Sequence, residues 1–133
     1  MLKLEIVTPE KRVLDAEVDS VTVPTASGEA GILPHHAPLI SALRPGVLSY
    51  TNKGSIEKLA VTGGFVEVNG DKVAVLADSA ESPEEIDVAA ARAERDSAEK
   101  ALAAAAGASL EDNQPVRDQL DAANVRIQLA SGK

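Results

Sequence analysis

The composition of the chain changes near residue 80, and this change constrains the fold more than any single motif. Residues 1–80 contain 20 Val, Ile and Thr against 9 Ala, whereas residues 81–133 contain 5 and 14. β-Branched residues favour strands and alanine favours helices. We therefore expect a β-domain over residues 1–81 and an α-helical part over residues 82–133.

Short alternating segments separated by turns fill the first part. Leu2, Leu4 and Ile6 alternate with polar residues, as in a half-buried strand. Asn69-Gly70 is the strongest hairpin signal, and Gly63-Gly64 predicts a bulge or tight bend rather than a ligand contact. The other candidate turns lie at residues 9–10, 26–29, 44–46 and 52–54. Their spacing predicts an antiparallel sandwich or barrel.

Cap signals predict that two helices follow. Residues 82–85, Ser-Pro-Glu-Glu, have the pattern of a capping box with a first-turn proline, and Asp87 is a rival N-cap. The first helix therefore begins at one of these two positions, and we expect it to end before Gly107. The second helix is expected over residues 113–130, with Pro115 in its first turn.

The apolar stripe predicted along the first helix consists mostly of small side chains. Its members are Ile86, Ala90, Ala93, Ser97, Ala101 and Ala104. The stripe on the second helix is Val116, Leu120, Ala123, Ile127 and Ala130. A buried methyl group contributes roughly 0.8 kcal/mol, against about 1.5 to 3 for a buried Leu or Ile. We therefore expect the helix pair to be held loosely and to detach without unfolding the β-domain.

The charge and the motifs that are missing exclude several function classes. A net charge of −8 argues against a nucleic-acid partner, and Tyr50 and Phe65 are too few aromatic residues for base or sugar stacking. There is no run of about 18 apolar residues and no export signal, so we expect no direct membrane insertion. Phosphate-loop, dinucleotide and nucleophile-elbow motifs are absent. His35-His36 lies in a segment expected to be extended, without a third ligand at useful spacing, so we expect no metal and no catalytic residue.

Residues 26–48 form the segment best suited to docking on a partner. Three glycines and three prolines make it stiff and turned. We expect it to present apolar side chains to solvent, namely Ile32, Leu33, Leu39 and Ile40. Glu29, on a glycine-flanked turn beside them, is expected to be an exposed partner contact. Because no catalytic set accompanies these residues, the segment predicts a docking loop.

The same segment carries a family resemblance. Its run GEAGILPHHAPLISALRPGVL is similar to the epsilon subunit of F-type rotary ATP synthases, whose pattern here is close to G-E-x-G-I-x-P-x-H-A-P-L followed by x-P-G. The similarity extends to VTPEKRVLDAEVDSVTVPTASGE, LAVTGGFVEV, VAVLAD and the Ala-rich C-terminal part. It therefore covers nearly the whole chain.

The resemblance implies a mainly β plus α protein, with an N-terminal ten-stranded β-sandwich and a C-terminal antiparallel two-helix hairpin. It implies a non-catalytic rotor subunit in the central stalk that links gamma to the c ring for proton-driven ATP synthesis. The hairpin would regulate ATP hydrolysis and would reach the alpha and beta subunits when it extends. The implied location is the cytoplasmic side of the inner (plasma) membrane, in a peripheral part of a membrane complex; a thylakoid or other energy-coupling membrane stays open.

The family motif also implies which residues contact the partners. These residues are Glu29, Gly31, Ile32, Pro34, His36, Ala37, Pro38 and Leu39. Glu29 matches the turn that approaches the c ring, and His36 matches the histidine beside gamma.

One departure from the family concerns nucleotide binding. Some members bind ATP at a motif close to I-D-x-x-R-A, but Ala90 stands here where the arginine should be. Arg92 lies about 200° further around the helix, so a phosphate would lose its bidentate partner. The candidate nucleotide-binding residues are Glu81, Ile86, Asp87 and Arg92. We expect little or no ATP binding and no cofactor.

A second departure concerns inhibition of hydrolysis. The family's second helix often carries several arginines that meet the beta subunit, whereas this helix has only Arg117 and Arg126. Asp118 and Asp121 interrupt the basic pattern. We therefore expect weaker or differently built inhibition.

Two other functions stay open at this point. A free-standing ATP-sensing module of a β-sandwich and a helical hairpin would need measurable ATP affinity and no stable complex with gamma. A small β-sandwich hydrolase that uses His36 and a nearby carboxylate would need a pocket with convergent polar groups. Co-purification with a gamma-like coiled coil separates the stalk subunit from both.

Overall fold

The computed structural model describes residues 1–35, 37–104 and 110–131, which form a β-sandwich followed by two helices. The described strands are β1 (Leu2–Val7), β2 (Arg12–Val18), β3 (Ser20–Thr25), β4 (Gly28–Ile32), β5 (Leu39–Ala42), β6 (Gly46–Asn52), β7 (Ser55–Asn69) and β8 (Lys72–Glu81). The helices are α1 (Val88–Ala104) and α2 (Leu110–Ala130). The change from strands to helices that composition predicts is confirmed.

The strands follow one hydrogen-bonded path that folds into two layers. Its order is β2-β1-β8-β7-β6-β3-β4, with β5 paired to β7, and all pairs are antiparallel except β1 with β8. The first layer holds β1, β2, β5 and the halves of β7 and β8 next to their connecting turn. The second layer holds β3, β4, β6 and the other halves of β7 and β8. Counting each half as a strand reconciles these continuous strands with the ten that the resemblance implies.

Two glycines make the bend at which β7 passes between layers. Gly63 and Gly64 have φ values of 53° and 97°, a region that disfavours residues with a Cβ. A Cβ at Gly64 would also overlap the carbonyl group of Leu76, and one at Gly63 would overlap the carboxylate of Asp78. The predicted bend is therefore present, and only glycine fits it.

Alternating side chains fill the space between the layers. Leu2, Leu4 and Ile6 are fully buried, as their alternation predicts. The aliphatic core is completed by side chains from most other strands, including Val18, Val21, Val23, Ile32, Leu48, Val61, Val66, Val68, Val73 and Val75. The turns at residues 52–54 and 69–71 join β6 to β7 and β7 to β8, as predicted.

Both predicted caps form, each on its own element. The Glu85 carboxylate accepts hydrogen bonds from the backbone N–H and the hydroxyl of Ser82, at 3.0 and 2.9 Å, beside a single 3₁₀ turn Pro83–Glu85. Asp87 Oδ1 accepts the N–H of Ala90 at 3.0 Å, and α1 begins one residue after Asp87. The strand-to-helix junction is therefore a short turn followed by a new cap.

The helix ends differ in part from expectation. α2 begins at Leu110 rather than at residue 113, so Pro115 falls in its second turn. The predicted stop at Gly107 lies outside the described residues. Neither described helix combines the length and the apolar composition needed to cross a bilayer.

The predicted stripe on α1 is wrong, whereas the stripe on α2 is confirmed. The buried residues of α1 are Ala91 and Ala98. Most of the predicted set is exposed, namely Ala93, Ser97, Ala101 and Ala104. Ile86 precedes the helix, so a stripe phased on it is rotated away from α2. On α2, Ala123 is buried and the other members are half-buried.

The helix pair rests on the sandwich mainly through α2. Leu129 is buried against Ala60 of β7 and Ile86, and Val125 and Val47 pack around them. Val47 and Ala60 are partners across β6 and β7. α2 therefore covers the outer face of the second layer.

Candidate functional site

Residues 26–48 cross from one layer to the other rather than forming a single loop. β4 lies in the second layer and β5 lies in the first. Residues 33–38, which we call the crossing, connect them. Ile32 is 1% exposed, so the expectation that it is presented to solvent is wrong. Its side chain points into the core because side chains alternate along a strand and Gly31, before it, faces outward.

The other apolar side chains of this segment fit the expectation in part. Leu33 and Ile40 are 63% and 73% exposed, whereas Leu39 is half-buried. Leu33 lies on the crossing, and Ile40 lies on β5. The exposed apolar surface is thus divided between a connection and a strand.

The described residues assigned by the family motif lie on β4, on the crossing and at the start of β5. Glu29 is exposed on β4, opposite Pro24 of β3, rather than on the preceding turn as expected. On the crossing, Pro34 is half-buried and Ala37 and Pro38 are exposed, and Leu39, the first residue of β5, is half-buried. His36 lies outside the described residues. The partner roles of all eight residues stay predictions.

Asp71 ties the crossing to the turn between β7 and β8. The backbone N–H of His35 donates to Asp71 Oδ1 at 2.9 Å, and the ring Nδ1 lies 3.9 Å from the same oxygen. His35 has a φ of 69°, so the expectation of an extended segment is wrong at this residue. A contact over 36 residues leaves no local sequence signal.

An apolar patch lies on the outer face of the first layer. Phe65 is the cross-strand partner of both Ala42 on β5 and Leu76 on β8. Ile40 pairs with Glu67, which makes it a diagonal neighbour of Phe65. Phe65 and Leu76 are 58% and 57% exposed. We call Ile40, Ala42, Phe65 and Leu76 the apolar patch.

A shallow groove joins the apolar patch to the crossing. Its volume is about 430 Å³, and its lining consists of Pro38, Leu39, Ile40, Glu67, Val68 and Asn69. Exposed apolar groups with few polar groups around them favour binding of another protein over chemistry on a small substrate. The first layer therefore offers a continuous docking surface.

A second candidate site is a cleft between the sandwich and the helices. Its volume is about 630 Å³, and its lining includes Leu43, Arg44, Pro45, Thr62, Gly63, Asp78, Pro115 and Gln119. Arg126 enters it from α2, with Nε 2.8 Å from Glu81 Oε1 and Nη1 3.1 Å from Glu94 Oε2. The Nε–H does not point at the Glu81 oxygen, so that contact is an ion pair without an aligned hydrogen bond.

The candidate nucleotide-binding residues are not gathered in this cleft. Glu81 lines it but is paired with Arg126. Ile86 is buried with Leu129, and Asp87 caps α1. Arg92 is exposed and does not line the cleft. The structure thus brings Glu81 together with Arg126 rather than with the rest of the set.

The two arginines of the second helix have different surroundings. Arg117 is exposed, whereas the Arg126 side chain is only 14% exposed. They are nine residues apart, which is about half a turn at 100° per residue. Within the described ranges, no group of three or more His, Asp or Glu residues could hold a metal ion.

The sequence contains a signal for the apolar patch. This signal predicts an apolar outer face of the sheet, but it does not predict which partner binds there. VAVLAD in β8 has apolar residues on both faces, so one of those faces must lie on the outside of the sandwich. Phe65 adds a large apolar side chain to the outer face of the neighbouring strand. Glu94 has no comparable signal, because it belongs to a charged helix face.

Comparisons with known proteins identify the family. A model of the ATP synthase delta/epsilon chain β-sandwich domain matches residues 1–83. The ATP synthase epsilon chain of Carboxydothermus hydrogenoformans is 53% identical over 102 residues, which cover 77% of this chain and 76% of that protein. The ATP synthase epsilon chain of Desulfitobacterium hafniense strain Y51 is 50% identical over 99 residues, covering 74% and 75%.

Solved structures show the same fold at lower identity. A chain of the Euglena gracilis mitochondrial ATP synthase, solved as OSCP/F1/c-ring in rotational state 1, has a TM-score of 0.76 and 24% identity, covering 98% of this chain and 81% of that one. A chain of the Tetrahymena thermophila central stalk and c ring has a TM-score of 0.55 and 19% identity, covering 63% and 68%. The domain match and the close relatives agree with the residues quoted above, and the chain belongs to the ATP synthase delta/epsilon family as an epsilon subunit of the F-type complex.

Proposed function

We propose that this subunit links gamma to the c ring in the rotor, so that torque generated during proton-driven ATP synthesis passes through the sandwich. The observation that carries the proposal is the apolar patch, because it lies on a rigid sheet face that the helices leave uncovered. Solved chains with this fold come from complexes described as F1/c-ring and central stalk/c ring. The subunit would itself catalyse nothing.

The patch suits gamma because large apolar side chains cluster on an exposed sheet face. Three large apolar side chains stand more than half exposed on neighbouring strands. Exposed apolar residues that cluster in this way mark protein interaction sites, whereas single exposed ones are ordinary. The crossing extends the same surface, which agrees with the contacts implied for Pro34, His36, Ala37, Pro38 and Leu39.

Binding of gamma to the purified subunit tests the proposal. Phe65→Glu should weaken binding at least tenfold, because it places a charge at the centre of a desolvated contact. Ile56→Glu is the matched control, since Ile56 is 64% exposed on the other half of β7 and lies outside the patch. Equal losses in both variants, or in neither, would overturn the assignment of the patch.

Glu29 is proposed as the contact with the polar loops of the c ring. It is an exposed carboxylate on an outward strand position, away from the apolar patch. Glu29→Lys should reduce retention of the subunit on purified c rings without changing its affinity for gamma. Glu17→Lys, at an exposed position of β2, is the control. Unchanged retention of the Glu29 variant would remove this residue from the interface.

The hairpin is proposed to regulate ATP hydrolysis by leaving the sandwich and extending toward alpha and beta. Its apolar attachment is small, since the buried cluster that joins it to the sandwich and the connecting turn consists of Leu129, Ile86 and Ala60 among the described residues. Deleting residues 84–133 should leave assembly intact and raise ATPase activity only modestly, because Arg117 and Arg126 do not share a helix face. A sharp rise would show that inhibition is strong.

ATP is proposed to have little or no part in this regulation. Ala90 supplies no guanidinium, and Glu81 is already paired. Addition of millimolar ATP should leave hydrogen exchange of the hairpin unchanged. Protection of α1 and α2 by ATP, without stable binding to gamma, would instead favour a free-standing ATP-sensing module.

The proposed location follows from the proposed partners. A subunit held by gamma and the c ring lies at the membrane surface as a peripheral part of the complex. We place it on the cytoplasmic side of the inner (plasma) membrane or on the equivalent side of another energy-coupling membrane. Fractionation of cells before and after removal of the F1 complex would show whether the subunit leaves the membrane with gamma.

A further inference from the structure

Arg126 joins three separate elements of the molecule. It lies on α2, and its guanidinium contacts Glu81 at the end of β8 and Glu94 on α1. Two of its nitrogens approach the two Glu81 oxygens, Nε at 2.8 Å and Nη2 at 3.4 Å, while Nη1 approaches Glu94 at 3.1 Å. One side chain thus bridges the sandwich and both helices.

Arg126 lies where the contact between α2 and the sandwich ends. On its C-terminal side, α2 is packed on the sandwich through Leu129. On its N-terminal side, Pro115, Asp118, Gln119 and Ala122 face the cleft of about 630 Å³ rather than the sheet. Arg126 therefore lies at the border between the attached end of α2 and the end that stands off.

The charges around the cleft favour a closed bridge without any ligand. Four carboxylates line it, from Asp78, Glu81, Glu94 and Asp118, against the guanidinium groups of Arg44 and Arg126. An anion would have to displace Glu81 and Glu94 from Arg126 in surroundings that are already negative. The protein's own carboxylates thus occupy the guanidinium.

We infer that Arg126, Glu81 and Glu94 form an ionic latch that holds the hairpin on the sandwich in the absence of nucleotide. Arg126 is 14% exposed and Glu81 is 28% exposed, so the pair is largely removed from water. Loss of one partner from such a pair leaves the other charge desolvated and uncompensated, which destabilises the closed arrangement. Leu129 supplies the neighbouring buried apolar contact, so the latch and this contact together hold α2 on the sandwich.

Hydrogen exchange of the free full-length subunit tests the latch without gamma or ATPase activity. Arg126→Gln should accelerate exchange of the α2 amides about tenfold or more, while the amides of β7 and β8 keep their rates, because local opening is separable from global unfolding. Arg117→Gln is the matched control, since Arg117 is an exposed arginine about half a turn away on the same helix. Rates within about twofold of the unsubstituted chain would overturn the latch.

Two further variants test the latch if Arg126→Gln also accelerates amide exchange in β7 and β8. Glu94→Gln removes only the arm to α1 and should accelerate α2 exchange to a smaller degree. The exchanged pair Glu81→Arg with Arg126→Glu, made together with Glu94→Gln because Glu94 would otherwise repel the introduced carboxylate, should restore exchange as slow as in Glu94→Gln alone if opposite charge is what closes the contact. Unchanged α2 rates in Glu94→Gln, or no recovery in the exchanged pair, would count against the latch.

The link between the latch and regulation of ATP hydrolysis rests on the proposed function of the hairpin. Failure of that function can be distinguished from failure of the latch. In the assembled complex, Arg126→Gln should shift the hairpin toward its extended form and change ATPase activity relative to Arg117→Gln. Fast α2 exchange with unchanged ATPase activity would preserve the latch and contradict the regulatory role of the hairpin.

Discussion

Phe65 lies directly opposite Leu76 on neighbouring strands, and both side chains point away from the core. The next residue, Val66, is fully buried, so one step along β7 separates the surface from the interior. The two faces of this strand therefore respond differently to substitution.

Substitution of Phe65 should affect binding far more than stability. Phe65→Ser should change the free energy of unfolding by less than about 1 kcal/mol, because most of its surface is already in water. Leu48→Ala, at a fully buried position of β6, should cost about 2 to 5 kcal/mol. Urea unfolding curves of the two variants measure the contrast. Comparable losses would mean that Phe65 is part of the core.

The bend in β7 should not tolerate a side chain at Gly64. Gly64→Ala should destabilise the sandwich by more than about 2 kcal/mol, since it combines strain at positive φ with overlap on the Leu76 carbonyl. Gly31→Ala is the control, because no atom lies within 4 Å of its added Cβ and its φ is not positive. Denaturant midpoints compare them, and equal stability of both variants would contradict the bend.

The crossing should loosen when Asp71 loses its carboxylate. Asp71→Ala removes the acceptor of the His35 N–H and should accelerate exchange of that amide by about tenfold. Asp71→Asn keeps an acceptor oxygen and should preserve much of the protection. Amide exchange measured by NMR reads this directly. Slow exchange in Asp71→Ala would show that the crossing is held by other contacts.

The turn before α1 should weaken in acid. Hydrogen bonds from the backbone and side chain of Ser82, followed by the charge of Lys11, lower the Glu85 pKa below its ordinary value of 4.5. A lowered folded-state pKa stabilises the fold above the ordinary value, and this contribution is lost as pH falls through the folded pKa. The stability difference between the unsubstituted chain and Glu85→Gln should therefore be largest near neutral pH and shrink below pH 4.5. A difference that stays constant in acid would contradict this origin.

The sequence predicts elements better than it predicts contacts between them. The alternation of Leu2, Leu4 and Ile6 and the Asn69-Gly70 turn depend on neighbouring residues, and both are found as expected. The apolar stripe predicted for α1 differs from the buried one because two caps compete within six residues, and only packing against α2 selects Ala91 and Ala98.

The candidate sites divide in the same way. Ile40 is exposed as expected, although it lies on β5, where alternation along the strand turns it outward. Burial of Ile32 depends on a strand register that the motif does not reveal. The contacts of Arg126 with Glu81 and of Asp71 with His35 join residues 45 and 36 positions apart. Such contacts exist only after the chain has folded, so no spacing in the sequence predicts them.

The helices cover the outside of one layer, and the apolar patch lies on the outside of the other. A partner seated on the patch therefore leaves α2 free to depart, and departure of α2 leaves that partner in place. Occupancy of the apolar patch and position of the hairpin can then vary as two independent quantities. When substitutions of Phe65 and of Arg126 are combined, their effects on binding of gamma and on hydrogen exchange of α2 should accordingly be additive.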